Sequence, residues 1–172
     1  MADFKPAFEK TMENEGGFIL HQVDGDRGDM TFAGISRRFW PDWPGWVFLD
    51  RGEWADELEP MVTQFYRDNF WQEIRGDEIR SQAVANSIYD FAVNAGVGTA
   101  VKVAQRVLVV KEDGQVGKQT LTVLNFWADP DKFLLRYALE KISHYVELCG
   151  NNSSQKRFLF GWVTRSLDGI KL

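Results

Sequence analysis

The chain has 172 residues, 44% of them apolar and 26% charged, with a net charge of −5. That size suits one soluble domain able to bury a core without staples. The acidic balance argues against nucleic acid as a partner, the single Cys149 excludes an internal disulfide, and no apolar run is long enough to cross a membrane.

Residues 3–15 read as a first helix. Asp3 is placed to cap it, Pro6 falls in its first turn, and Phe4, Phe8 and Met12 recur on one face. Gly16 and Gly17 end it, because glycine takes the left-handed C-terminal conformation at little cost. Residues 18–36 alternate Gly and Asp with short apolar pairs, the pattern of a loop or a short irregular hairpin. PDWPGW at 41–46 is a turn-rich connector, and the stretch from Gly52 to Trp71 reads as helical with a break or kink at Pro60.

From there the pattern is helical. Ser81 caps a helix over 82–95 that carries Val84, Ile88, Phe91 and Ala95 on one face and stops at Gly96. A further helix covers 99–110, DGQVG at 113–117 is a turn, and a short helix follows near 118–127. Asp129 and Pro130 open a long helix to about Cys149, GNNSS breaks it, and a last helix spans about 154–167. The expected fold class is mainly α, with a small β hairpin or irregular loop after the first helix. Cys149 is expected to be a buried apolar residue. His21 and His144 are too far apart in sequence to suggest a metal site, so neither a cofactor nor a metal is expected.

Most of the seven Trp, thirteen Phe and four Tyr are expected in the core. The chemistry-bearing stretch is ENEGGF at 13–18 followed by DGDRGDMTFAGIS at 24–36. Glu15 stands at a helix C-terminus, where outward carbonyls and the negative dipole end disfavour a charged carboxylate. The adjacent glycines remove side-chain bulk and let a ligand approach. That is the setting general-acid catalysis asks for, although a solvent-facing glutamate would also fit the position. Downstream, Asp24, Asp26 and Asp29 alternate with Gly25 and Gly28, and Thr31 follows. An aspartate there is a candidate second carboxylate and the Thr31 hydroxyl a candidate water-holding group. A plain acidic turn is the alternative, and the spacing does not match an EF-hand calcium loop.

These pieces resemble glycoside hydrolase family 108, the lysozyme-like N-acetylmuramidases of bacteria and their phages. The resemblance rests on ENEGGF, on D-x-G-x-x-T with Asp26, Gly28 and Thr31, and on GIS at 34–36. The second half resembles the peptidoglycan-binding-like region that accompanies the family, through YDFAVNAGVGTAVKVAQRVL at 89–108, DGQVGKQTL at 113–121 and RFLFGWVTR at 157–165. It implies a lysozyme-like helical fold over 1–172, with residues 1–90 catalytic and 91–172 helical and wall-binding. By the same resemblance Glu15 matches the catalytic glutamate, and Asp26 and Thr31 match the family's aspartate and threonine. Asp24, nine residues after Glu15, competes with Asp26, because phage-type lysozymes more broadly show that spacing. The sequence departs from the family where Arg27 and Asp29 replace its usual proline and glycine.

The implied activity is hydrolysis of the β-1,4 bond between N-acetylmuramic acid and N-acetylglucosamine, by an inverting acid/base route. The alternatives are a lytic transglycosylase and a wall-binding module that has lost activity. Tyr89, Asn94 and Gln105 are candidate substrate-binding residues, and Asp90 and Gln105 are each open to the alternative of capping or pairing within the fold. Of Trp40, Trp43 and Trp46, at least two are expected in the core, leaving one to stack on a saccharide. The expected partner is the peptidoglycan glycan strand, approached by a monomer with no membrane insertion. The N-terminus lacks the apolar segment of a signal peptide. The chain is therefore expected to be made in the cytoplasm and to reach the wall, in the periplasm or outside, after holin-type or other release, as a phage endolysin does.

Overall fold

The computed structural model describes residues 1–21, 30–52 and 57–170. The described residues are mainly α-helical with one small sheet, as the sequence predicts. Two compact units form: Phe4–Asn69, and Phe70–Leu172 together with Met1–Asp3.

The first unit opens with α1, Phe4–Glu15, which buries Phe4, Ala7, Phe8, Thr11 and Met12. Burying a Phe or Met side chain is worth roughly 1.5–3 kcal/mol, so this face anchors the helix. Its end is a Schellman motif: the Gly17 N–H bonds the Met12 carbonyl at 2.8 Å and the Gly16 N–H bonds the Glu13 carbonyl at 3.4 Å. Gly16 makes this possible with φ of 82°.

The strands β1 (Leu20–His21), β2 (Thr31–Phe32) and β3 (Ile35–Ser36) form an antiparallel sheet in that order, with Leu20 opposite Phe32, Phe32 opposite Ile35 and Thr31 opposite Ser36. The β2–β3 hairpin turns on two residues, Ala33 and Gly34, with φ of 48° and 79°. Two positive φ values in succession define a type I′ turn, whose twist matches the paired strands. Ala33 holds a backbone conformation that costs a non-glycine residue on the order of 1 kcal/mol, and its burial at 1% exposure fixes it there.

The turn-rich connector leads into α2, Trp46–Asp50, tied to β3 by Arg37, whose guanidinium bonds both Asp50 oxygens and stacks over Trp46. The segment α3, Leu58–Tyr66, contains Pro60 in its first turn. A first-turn proline gives up an N–H that has no helical partner, so Pro60 leaves this helix intact, and residues 53–56 of the helical stretch expected before it lie outside the described residues. The helix then widens to a π-helical turn at Arg67–Trp71. The Asn69 side chain accounts for the widening, because its amide donates to the Phe65 carbonyl at 2.8 Å, the acceptor that the Asn69 N–H would otherwise use.

In the second unit, α4 (Gln82–Ala95) and α5 (Val97–Leu108) pack against each other and against the long α7 (Pro130–Asn151). The Ser81 hydroxyl accepts from the Val84 N–H and the Asp129 carboxylate from the Lys132 N–H, the two caps read from the sequence. Between them lies α6, Lys118–Asn125, and α8, Leu159–Leu167, closes the chain after a 3₁₀ segment at Ser153–Phe158. Cys149 is buried as expected. Asp90 on α4 forms an ion pair with Arg165 on α8 at 2.8 Å, so it serves the fold as an internal pair.

Lys141 on α7 is 3% exposed and donates to the Ser87 hydroxyl at 3.2 Å. Burial pushes its ammonium down to about 8, with Asp90 and Asp168 pulling upward and Arg165 pushing the same way as burial. The folded value lies below the unfolded one near 10.5, so the cost of the charge is fully present below pH 8 and fades as the pH rises toward 10.5. Lys141→Met is therefore expected to raise the melting temperature by several degrees at pH 7, with the gain shrinking between pH 8 and 10.5. Thermal melts across that range check it.

Candidate active site at the end of the first helix

The Schellman turn leaves Glu15, half-buried, as the last helical residue of α1. The hairpin turn meets it there. A Cβ built on Gly34 would lie 2.9 Å from Glu15 Oε2 and 3.1 Å from its Cδ, and would also collide with the Tyr66 hydroxyl. Glu15 and Tyr66 therefore converge on one small patch that only glycine leaves open. The Tyr66 hydroxyl, on α3, donates to the Ala33 carbonyl at 2.9 Å and is itself buried at 2% exposure. It pins the type I′ turn in register with the carboxyl.

An aromatic chain supports this arrangement from beneath. The rings of Phe4, Phe8, Tyr66 and Phe65 follow one another at centroid distances of 5.4, 5.9 and 5.4 Å. Phe32 of β2 stacks on Trp43, which meets Trp46 edge to face. Trp43 and Trp46 are in the core, as expected of at least two of the three tryptophans, whereas Trp40 is 38% exposed with its ring edge on Phe65. An open recess of about 580 Å³ runs beside the end of α1, lined by Phe8, Met12, Gly16, Gly17 and Phe18 with Glu13 among its acids. Glu15 is a neighbour of that recess and not part of its lining.

The candidate residues read from the sequence fall into three groups. Glu15 sits against the hairpin turn, and Thr31 occupies the central strand, half-exposed, on the face of the sheet opposite Phe32. Asp24 and Asp26, with Asp29, lie outside the described residues. Tyr89, Asn94 and Gln105 belong to the second unit, where the structure corrects two of the three. Tyr89 is fully buried at 0% exposure against Trp71, so it packs the core and presents no surface to a ligand. Gln105 is 1% exposed, and its amide is spent holding the DGQVG turn: it donates to Asp113, the Gln115 carbonyl and Thr120, and accepts from the Gly114 N–H. The same amide, with the Gln115 N–H, holds the Asp113 carboxyl below the usual carboxylate range. Both corrections come from burial that spacing alone does not reveal: Gln105 serves an internal hydrogen-bond network and the Tyr89 ring packs on Trp71. Asn94 is exposed near the end of α4.

Sequence reasoning missed Gly34 and Tyr66. Gly34 had a signal in the GIS tripeptide, but its task depends on the helix end it touches. Tyr66 had none, because its partner is 33 residues away. Among the described residues, no cluster of His, Cys, Asp and Glu has the geometry of a metal site.

A family model described as glycosyl hydrolase 108 matches residues 8–96, which include Glu15, Thr31, Gly34 and Tyr66. A second, described as "Predicted Peptidoglycan domain", matches residues 99–167. The chain is also similar to a solved structure, SagA of Brucella abortus, with 23% identity and a TM-score of 0.61 over 96% of this chain and 97% of that one. At that identity the likeness speaks for the fold alone. No match was found among curated proteins. With a carboxyl built into the end of its first helix and more than half its length matched, the chain belongs to the glycosyl hydrolase 108 family and carries a peptidoglycan-type region after it.

Proposed function

We propose that the protein is a lysozyme-type muramidase that hydrolyses the β-1,4 bond between N-acetylmuramic acid and N-acetylglucosamine, with Glu15 as proton donor. The observation that carries this reading is the half-buried Glu15 carboxyl set against Gly34, in a patch kept free of side-chain bulk. Glu15 delivers its proton to the glycosidic oxygen as the bond to C1 breaks. A second carboxylate removes a proton from the water that attacks C1 from the opposite face, which inverts the anomeric centre. Asp26 is the first choice for that carboxylate and Asp24 the second, with the Thr31 hydroxyl orienting the water. The protein is made in the cytoplasm and meets peptidoglycan in the periplasm or outside, after release by a holin-type or other route.

Mass analysis of sacculus digests tests the reaction type. Hydrolysis yields reducing N-acetylmuramic acid ends, whereas a lytic transglycosylase yields 1,6-anhydro ends lighter by one water. We expect reducing ends only; anhydro products would replace the hydrolytic reading with the transglycosylase one. In the same assay Asp26→Asn is expected to lose more activity than Asp24→Asn, and the reverse order moves the water-activating role to Asp24.

A further inference from the structure

The DGQVGKQTL motif is not used by the catalytic reading, yet its helix forms one wall of a recess of about 390 Å³ within the second unit. Lys118 and Leu121 of α6, Phe126 just after it, and Arg75, Glu78 and Arg80 of the preceding segment line the recess. Its walls are fixed relative to each other. Arg75 bonds both Glu78 oxygens, at 2.7 and 2.6 Å, and the Val116 carbonyl at 3.1 Å. Asn125 donates to the Glu78 carbonyl and accepts from the Arg80 N–H, both at 2.8 Å.

The charges inside do not cancel. Arg75 is neutralised by Glu78. Arg80 and Lys118 are exposed and have no ion-pair partner among the described residues. The Arg80 guanidinium instead lies 4.8 Å over the ring of Phe126, which is 69% exposed. Lys118 is the first residue of α6, where the positive end of the helix dipole disfavours a cation. An exposed cation at a helix N-terminus, beside an exposed ring that holds a second cation on a rigid frame, gives the recess a net positive charge and an apolar edge open to solvent, the pattern expected of a binding site.

We propose that this recess binds a carboxylate of the stem peptides that peptidoglycan carries, with Arg80 and Lys118 on the carboxylate and Phe126 and Leu121 against the aliphatic part of the peptide. The inference rests on peptidoglycan being the polymer bound, and it adds a peptide-reading site to a protein whose cleaved bond lies in the glycan.

The test is titration of the isotopically labelled full chain, followed by amide NMR, with a disaccharide-peptide of N-acetylglucosamine and N-acetylmuramic acid. Muramic acid is the reducing end of that probe, so it holds no bond from muramic acid C1 to a following N-acetylglucosamine, the bond the proposed reaction cuts. The expected result is shifts at Arg80, Lys118 and Phe126, absent with a peptide-free disaccharide whose lactyl carboxyl is amidated and with a probe whose peptide carboxyls are amidated. The double variant Arg80→Gln, Lys118→Gln is expected to bind about tenfold more weakly or worse, and Lys156→Gln, Arg157→Gln to bind as wild type does. Equal shifts with the peptide-free or amidated probe, shifts confined to other residues, or equal weakening in both double variants would each overturn the proposal. Failure of the muramidase reading is read separately, as a Glu15 variant that still releases reducing ends from sacculi.

Discussion

Glu15→Gln is expected to lower the release of reducing ends from purified sacculi by about 10²–10⁴-fold, the range a positioned general acid contributes. The amide keeps the size and shape of the carboxyl, so contact with Gly34 and the Schellman end of α1 persists, and the fold is expected to melt within a few degrees of wild type. What the amide lacks is a proton acidic enough to follow the departing oxygen. The loss should appear in kcat more than in KM, because the proton moves only in the transition state. Steady-state kinetics on soluble glycan strands, beside circular dichroism of the variant, measure both. A fall in KM-dependent binding with kcat intact would assign Glu15 to substrate binding instead.

The second large effect is expected at a residue with no chemistry of its own. Gly34→Ala places a methyl group 2.9 Å from Glu15 Oε2 and against the Tyr66 hydroxyl, at a φ of 79° that alanine adopts with strain. Stability is expected to fall by about 1–3 kcal/mol, from the backbone and from the displaced tyrosine. Activity is expected to fall further than that loss implies, by about 10²-fold, because displacing a catalytic group by an ångström carries a cost of that order. Gly16→Ala is the comparison. Its φ of 82° imposes similar strain, but no atom lies within 4 Å of the added methyl. It should lose about 1 kcal/mol of stability and little activity. If the two variants lose activity equally, the hairpin turn does not position the carboxyl, and Gly34 is only a turn residue.

The contrast between those glycines also shows what was legible in the sequence. Gly16 was readable because a Schellman end is local: the capping bonds run to Met12 and Glu13, within one turn. The same locality made α4 readable to the residue, from the Ser81 cap to Gly96, and α7 from its Asp129–Pro130 start. Its end, at Asn151, lies slightly beyond the expected stop. Longer-range devices left no periodic trace: the Tyr66 hydroxyl reaches a carbonyl 33 positions back. The π-helical turn is local, but residue type alone does not tell whether the Asn69 side chain bonds the Phe65 carbonyl or faces solvent. Gln105 and Tyr89 show the converse. Their residue types suit a sugar groove, but an amide that satisfies four internal bonds and a phenol packed on Trp71 are committed to the fold. Of the candidate site, then, the position of Glu15 at a capped helix end was legible and the turn that meets it was not.

The most direct test of Glu15 as proton donor is to change what the leaving group requires. An aryl β-glycoside of the muramyl glycan with a strongly acidic phenol as leaving group departs without protonation, while the sugar oxygen of a sacculus does not. Measured side by side, Glu15→Gln should cleave the aryl substrate at close to the wild-type rate while its rate on sacculi collapses. Equal losses on the two substrates would contradict a proton-donor role and return Glu15 to the structural residues of the helix end.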